Sequence, residues 1–400
     1  MFAVVYLGMI LGGLPFLQLD RTGVALLGAI AIVGLGALTP EAAAAAVHLP
    51  TITLLFAFMV LSAQMRLGGF YTWVTLRIAA QPLSPPALLA ATMAAVAVLS
   101  AVFSNDVICL AIAPVLAEAC LARRLDPVPF LIGLACAANI GSAATLIGNP
   151  QNMLIGQVLA LPFGGYLLVA IVPTVLALAA AWAILAWRVE RAGAAASAGA
   201  LRERREEAAP LDRWQTAKGL AVAAALLAVF LFTDWPRDVA ALVGAGLLLL
   251  SGKLHSSKML GLVDWQLLVL FIGLFVVNHA LEQTGLTAQA MQALAQAGVA
   301  LSEPAPLFVA AFVLSNVVSN VPAVMLLLPA ATEPFAGPML ALVSTLAGNL
   351  LIVGSIANII VVDAARRRGI VIDWRRHAAS GVPVTLASLA ITAAWFLLLS

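Results

Sequence analysis

The chain carries the same polar interruption twice. Ser100-x-x-x-Ser104-Asn105, followed by Pro114, returns as Ser315-x-x-x-Ser319-Asn320, followed by Pro329, each position 215 residues later. Upstream the register is nearly the same: Gly28 falls on Gly244 and Gly69 on Gly285, both at an offset of 216. Downstream, Gly148 and Asn152 of Gly148-Asn149-Pro150-Gln151-Asn152 fall on Gly354 and Asn358 of Gly354-Ser355-Ile356-Ala357-Asn358, at an offset of 206. Polar, helix-breaking residues thus stand at matching places in two strongly apolar halves. Paired interruptions of that kind point to the binding site of a secondary transporter.

The apolar background fixes the class. Hydrophobic residues make up 63% of the 400 and charged ones 10%, with a mean hydropathy of +1.08; a soluble domain has roughly 45–50% and about 25%. So much apolar surface needs lipid to face. A net charge of +2, with no basic run interleaved with aromatics, gives no reason to expect a nucleic-acid partner. Cys109, Cys120 and Cys136 lie in apolar stretches without disulfide or zinc spacing and read as packing residues. Cys109 and Cys136 as ligands of a thiophilic solute such as arsenite is the weaker alternative, because a tight thiol trap makes a poor conduit. The N-terminus has no basic region and no small-residue cleavage site, so its first apolar stretch is expected to stay in the mature protein.

A membrane span needs about 20 apolar residues. Spans read near 2–18, 22–38, 51–66, 127–160, 163–187, 215–233, 238–251, 265–281, 338–363 and 380–399. Two more apolar segments, 84–122 and 304–332, hold a Ser-Asn motif at their middle and read as re-entrant helical hairpins. Non-helical backbone at such depth is tolerated only in protein or beside a wet cavity. The 127–160 and 338–363 segments read as broken helices. With the N-terminus outside, Arg21, Arg66, Arg77, Arg123, Arg124, the Arg188–Arg213 stretch, Lys253, Lys258, Arg366 to Arg368, Arg375 and Arg376 all fall in the cytoplasm. The predicted outer loops at 39–50, 282–305 and 331–337 have no Lys or Arg, and only Arg237 is misplaced. That sorting obeys the positive-inside rule. It holds when each half has five spans, which makes the halves opposite in topology. The expectation is therefore an all-α polytopic membrane protein: a first inverted repeat over 1–188, a solvated cytoplasmic linker over 189–214, a second repeat over 215–400, and both termini outside.

At the hairpin tips, Ser104-Asn105-Asp106 and Ser319-Asn320 offer oxygens suited to a hard cation and amides suited to an anion. All three residue types are also good helix N-caps, but capping alone does not account for two copies. In the first broken helix, Gly141 and Ser142 loosen the chain ahead of Gly148-Asn149-Pro150, and Asn139 and Thr145 add polar groups. Pro150 suits the first position of a new helix, whose positive end could face an anion near the midplane. Asn349, Gly354, Ser355 and Asn358 play the matching part without the proline. Asp106 is the one carboxylate placed deep in the membrane, a functional hypothesis by default: proton carrier, cation ligand or cap. Substrate is expected at Asn105, Asp106, Asn149, Asn152, Asn320, Ser355 and Asn358. No catalytic cluster, metal site or cofactor is expected beyond a coupling Na+ or H+.

These residues resemble the ion transporter superfamily of divalent anion/sodium symporters, citrate transporter-like proteins and arsenite permeases. The Ser-x-x-x-Ser-Asn tips and Thr145-Leu146-Ile147-Gly148-x-Pro150-x-Asn152 carry the resemblance, over most of the chain. It implies a first cation site at Ser100, Ser104, Asn105 and Gly148, with Asp106 beside it, and a second at Ser315, Ser319, Asn320 and Gly354. It also implies elevator-type alternating access and a possible homodimer. Symporters have Thr where this chain has Asp106, and the second tip runs Ser319-Asn320-Val321-Pro322, features closer to the arsenite permease-like branch. The expected function is a secondary carrier of a small anion or oxyanion in a bacterial inner membrane. Arsenite or antimonite efflux and Na+-coupled di- or tricarboxylate symport are the alternatives, and a channel is the remote one.

Overall fold

A computed structural model describes residues 1–13, 17–192 and 211–399. Residues 14–16 of the first expected span and 193–210 of the expected linker lie outside the described residues. Among the described residues, all regular structure is helical. The first half holds α1 (Phe2–Leu11), α2 (Arg21–Gly34), α3 (Pro40–Ala46), α4 (Leu49–Leu67), α5 (Phe70–Ala79), α6 (Pro85–Val102), α7 (Asn105–Ala122), α8 (Pro127–Ser142), α9 (Pro150–Val158) and α10 (Phe163–Ala192). The second holds α11 (Arg213–Phe232), α12 (Arg237–Leu249), α13 (Ser256–Leu260), α14 (Trp265–Gln283), α15 (Leu286–Gln296), α16 (Pro304–Val318), α17 (Asn320–Leu327), α18 (Ala336–Ala347), α19 (Ile356–Arg366) and α20 (Trp374–Leu399).

Seven of these helices, α4, α6, α7, α10, α11, α14 and α20, are long and apolar enough to cross a membrane. The protein is a multi-pass membrane protein. The α1 helix stops at Leu11, where Gly12 takes a left-handed conformation, so it is shorter than the 2–18 span expected. The polar motifs stand where the chain leaves helix: between α6 and α7, α8 and α9, α16 and α17, and α18 and α19.

The spacing of the sequence repeat reappears in the elements. The α4 and α14 helices each have 19 residues and begin 216 positions apart. After them Gly69 and Gly285 adopt φ of 72° and 71° and start α5 and α15. Only glycine enters that region without a Cβ penalty, which is why this pair falls in register. Neither α5 nor α15 is among the expected spans, and α15 lies within the expected 282–305 loop.

The halves interlock. The α2 helix packs on α14, while α12 packs on α4. Likewise α7 packs on α19 and α9 on α17. Each contact has a counterpart with the halves exchanged, and the four chain breaks meet near the centre of the buried core.

Candidate functional site

The first hairpin is tied to the first broken helix through backbone and side chain. The Asn105 amide donates to the Gly148 carbonyl at 3.2 Å, and the Thr145 hydroxyl donates to the Ala101 carbonyl. A Cβ at Gly148 would lie 2.3 Å from the Ser142 carbonyl oxygen and 2.8 Å from that of Ser100. Gly148 therefore admits backbone where any side chain would exclude it. Gly141 does the same for α8 against Ala97 of α6.

Behind the tips lies a fully buried amide network that joins the halves. Asn139 Oδ1 accepts from Asn105 Nδ2 at 3.1 Å and from the Ser355 hydroxyl at 3.0 Å. Its Nδ2 donates to Asn349 Oδ1 at 2.9 Å and to Asn358 Oδ1 at 3.4 Å. Thr345, from α18, reaches the other way: its hydroxyl oxygen accepts from Asn149 Nδ2 and Gln151 Nε2, both at 3.2 Å, and donates to Asn152 Oδ1 at 3.3 Å.

Four helix N-termini converge on one small cavity of about 30 Å³. Asn105 and Asp106 of α7, Pro150 and Gln151 of α9, Ser319 to Val321 at the start of α17, and Ser355 and Ile356 at the start of α19 line it, with Leu267 of α14. That space suits one or two waters or a small ion. The ends differ in how they are capped. Asn149 caps α9, accepting from the Asn152 amide at 2.9 Å. The α7, α17 and α19 termini have no side-chain cap, so their positive ends remain open to a ligand. The cavity also offers oxygen. Asn105 Oδ1 and Asn320 Oδ1 are buried without a hydrogen-bond partner, as are the nearby hydroxyls of Ser100 and Ser315. Polar groups that native interiors normally satisfy lack a protein partner at both repeated motifs.

The structure brings Asn105, Asp106, Pro150, Ser319, Asn320 and Ser355 to the cavity wall. Ser100 and Ser315 lie fully buried behind the two tips. Asn139, Ser142, Asn149, Asn152, Asn349 and Asn358 sit one layer back, where each bonds other protein groups. Asn152 Nδ2 reaches the Thr145 carbonyl and the Tyr166 hydroxyl, and Asn358 Nδ2 the Gly348 and Leu351 carbonyls. Gly354 stands beside Asn316, whose Oδ1 is also unpartnered. Gln151, Thr345, Tyr166 and Asn316 belong to this centre and carried no role in the sequence reading. Thr345 had a signal, since it lies 206 residues after Asn139. No cysteine lines the cavity, and among the described residues no group of three or more His, Cys, Asp or Glu could hold a metal. A larger pocket of about 240 Å³ lies between the start of α11 and the end of α12, around Trp214, Lys218 and Lys253. It contains none of the repeated motif residues, so the small central cavity is the better candidate.

The citrate transporter family profile, CitMHS, matches residues 6–346. The chain belongs to the citrate transporter family. It is 27% identical over 410 residues to an uncharacterized transporter of Mycobacterium tuberculosis, covering 94% of each chain. It is 29% identical to the silicon efflux transporter LSI3 of rice, Oryza sativa subsp. japonica, covering 98% of this chain and 95% of the relative. A putative transporter of Dictyostelium discoideum, arsB, is 30% identical over 40% of this chain and 28% of its own. Among solved structures, the YdaH transporter of Alcanivorax borkumensis matches with a TM-score of 0.56 at 16% identity, over 100% of this chain and 96% of that one. The protein is a membrane transporter with this fold.

Proposed function

We propose that the protein is an ion-coupled secondary carrier for a small anion or oxyanion, with H+ or Na+ as the coupling ion and no other cofactor. One observation supports this most: uncapped helix N-termini and unpartnered amide oxygens share a single central cavity. Helix ends favour an anion, and the amide oxygens with Asp106 favour a cation. A site that holds both couples one to the other. No Lys or Arg lines the cavity, so the helix ends and a co-bound cation carry the anion's charge. That is workable for one or two negative charges and poor for a phosphate ester.

The proposed topology is inverted, with both termini outside, the 189–214 linker in the cytoplasm, and the hairpins re-entrant. The first tip is bonded at Gly148, and nine residues of α9 continue beyond the break, about 14 Å at roughly 1.5 Å per residue. The tip therefore lies about two-thirds of the way along the broken helix, while α6 and α7 are themselves each long enough to cross a membrane. Movement of the tips and breaks as one elevator-like unit, in a homodimer in a bacterial inner membrane, completes the proposal. Efflux of a weakly acidic oxyacid is the second reading, favoured by the nearly full-length similarity to the rice silicon efflux transporter.

Two experiments test this. Cysteine labelling is expected to place 195–205 and 366–368 in the cytoplasm and 286–300 outside; 195–205 and 286–300 on one side would defeat the inverted arrangement. Uptake and efflux by wild-type vesicles, measured with labelled citrate, a dicarboxylate, silicate, arsenite and a sugar phosphate, is expected to show transport of at least one of the first four and none of the sugar phosphate; transport of none of the four would defeat the substrate reading.

A further inference from the structure

The buried amide network has a direction, and backbone carbonyls set it. Carbonyl oxygens only accept. Asn358 is bonded to two of them, Gly348 at 2.8 Å and Leu351 at 3.0 Å, so it must present its N–H2 to them and its oxygen to Asn139. Asn139 must then meet that oxygen with its own N–H2, which leaves its oxygen facing Asn105 and Ser355. All four hydrogen-bonding positions of Asn139 are used. Asn105 must in turn present its N–H2 to Asn139, so the atom it has left is Oδ1, which has no protein partner. Carbonyls of the second half thus decide which end of a first-half cavity residue is free.

The other half repeats the device. Asn152 presents its N–H2 to the Thr145 carbonyl at 3.0 Å, so its oxygen faces Thr345 and accepts a hydrogen bond from that hydroxyl at 3.3 Å. The hydroxyl oxygen then accepts from Gln151 Nε2 at 3.2 Å. Gln151 lines the cavity, and its carbonyl oxygen is the end not committed to Thr345. Asn139 and Thr345 stand 206 residues apart, the offset that relates Asn152 to Asn358. Each reaches the break of the opposite half.

We propose that Asn139 and Thr345 are positioning residues that turn the amide oxygens of Asn105 and Gln151 toward the cavity, giving it a cation-binding pole whose geometry depends on both halves at once. The claim rests on the transporter proposal only in taking this cavity as the site. Neither residue touches the ion; each fixes the orientation of one that does. A flipped amide would replace an oxygen with an N–H and repel a cation, so the network protects affinity as well as packing.

Ion binding is measured directly, without a substrate. The purified full chain in detergent is unfolded thermally against sodium chloride at constant ionic strength, with choline chloride as balance, and separately against pH. A ligand that binds the native state raises the midpoint with its own concentration dependence. Asn358→Leu and Thr345→Val are expected to raise the sodium concentration for half-maximal stabilisation about tenfold, or to shift the pH midpoint by about one unit, the loss of about one well-made hydrogen bond. Thr345→Val keeps the side-chain shape, so it decides the matter where Asn358→Leu does not fold. A purely structural role would lower the midpoint without ion and leave the ion dependence unchanged; that result overturns the proposal. So does a wild type that neither sodium nor protons stabilise. A wild type that binds an ion yet shows no gradient-driven flux would defeat the transporter proposal alone.

Discussion

The two hairpin tips carry the same Ser-Asn motif and are held very differently. The first is fastened: the Asn105 backbone bonds Gly148, its side chain bonds Asn139, and Thr145 bonds the end of α6. The second is loose. Asn320, like Asn105, has an unpartnered Oδ1, but among the described residues it has no side-chain bond matching that of Asn105 Nδ2 to Asn139, and Ser319 before it holds φ 78° and ψ 160°, a region that only glycine enters readily. The arms differ too, with 18 residues each in α6 and α7 but 15 in α16 and eight in α17. The neighbouring breaks follow the same rule, since Asn149 caps α9 while Ser355 leaves α19 uncapped. One half is pre-built and the other has capacity to spare.

Removing the tip amides should have the largest effect. Asn105→Ala and Asn320→Ala are each expected to lower transport at least about hundredfold, as misplacement or loss of a positioned group does. Expression and thermal stability are expected to split them: Asn105→Ala lowers the unfolding midpoint, since it breaks a buried bond, and Asn320→Ala leaves it nearly unchanged. Equal destabilisation would erase the contrast between a fastened and a loose tip. Next comes Asp106, which lines the cavity from the fastened side. Asp106→Asn is expected to lose proton-driven flux and flatten its pH dependence, by about tenfold or more, because the amide keeps the protonated shape but does not titrate. A raised sodium requirement instead would make Asp106 a sodium ligand, and no change in either would make it a cap.

The breaks supply smaller effects. Asn149→Ala removes a helix cap and bonds to Ser142 and Thr345, an expected loss of about 1–2 kcal/mol of stability by denaturant unfolding. Ser355→Ala removes a single bond from an uncapped end, so its loss should be smaller. The reverse order would show that the second break, not the first, is the rigid one. The smallest expected change is a gain. Ser319→Gly relieves the positive φ and should stabilise the protein by about 1 kcal/mol; a loss would mean that the serine side chain contributes more than its backbone strain costs.

The sequence made the existence and places of the chain breaks legible, because glycine, proline and asparagine stand out against apolar surroundings. The offsets of 215, 216 and 206 mark the four places where the chain leaves helix, between α6 and α7, α8 and α9, α16 and α17, and α18 and α19. Composition gave the membrane class. Its limits were equally physical. Helix α5 and helix α15 are too short and mixed in polarity to register as spans, and only Gly69 and Gly285 hinted at them. Thr345 went unnoticed because threonine in an apolar helix looks like packing; its role depends on three side chains of the other half. The sequence reading grouped Asn152 and Asn358 with the substrate-binding residues, whereas both are turned to backbone carbonyls behind the wall. A motif marks where polar groups gather, and only the fold separates those that face the cavity from those that hold them there.

The central claim is that one cavity couples a small oxyanion to an ion. Purified protein in sealed vesicles, with sodium and proton gradients imposed separately at zero membrane potential, tests it most directly. The account predicts that one gradient drives the anion above its equilibrium distribution, and that collapsing that gradient abolishes accumulation. Anion flux that only equilibrates and ignores both gradients would contradict coupling and make the protein a passive pathway.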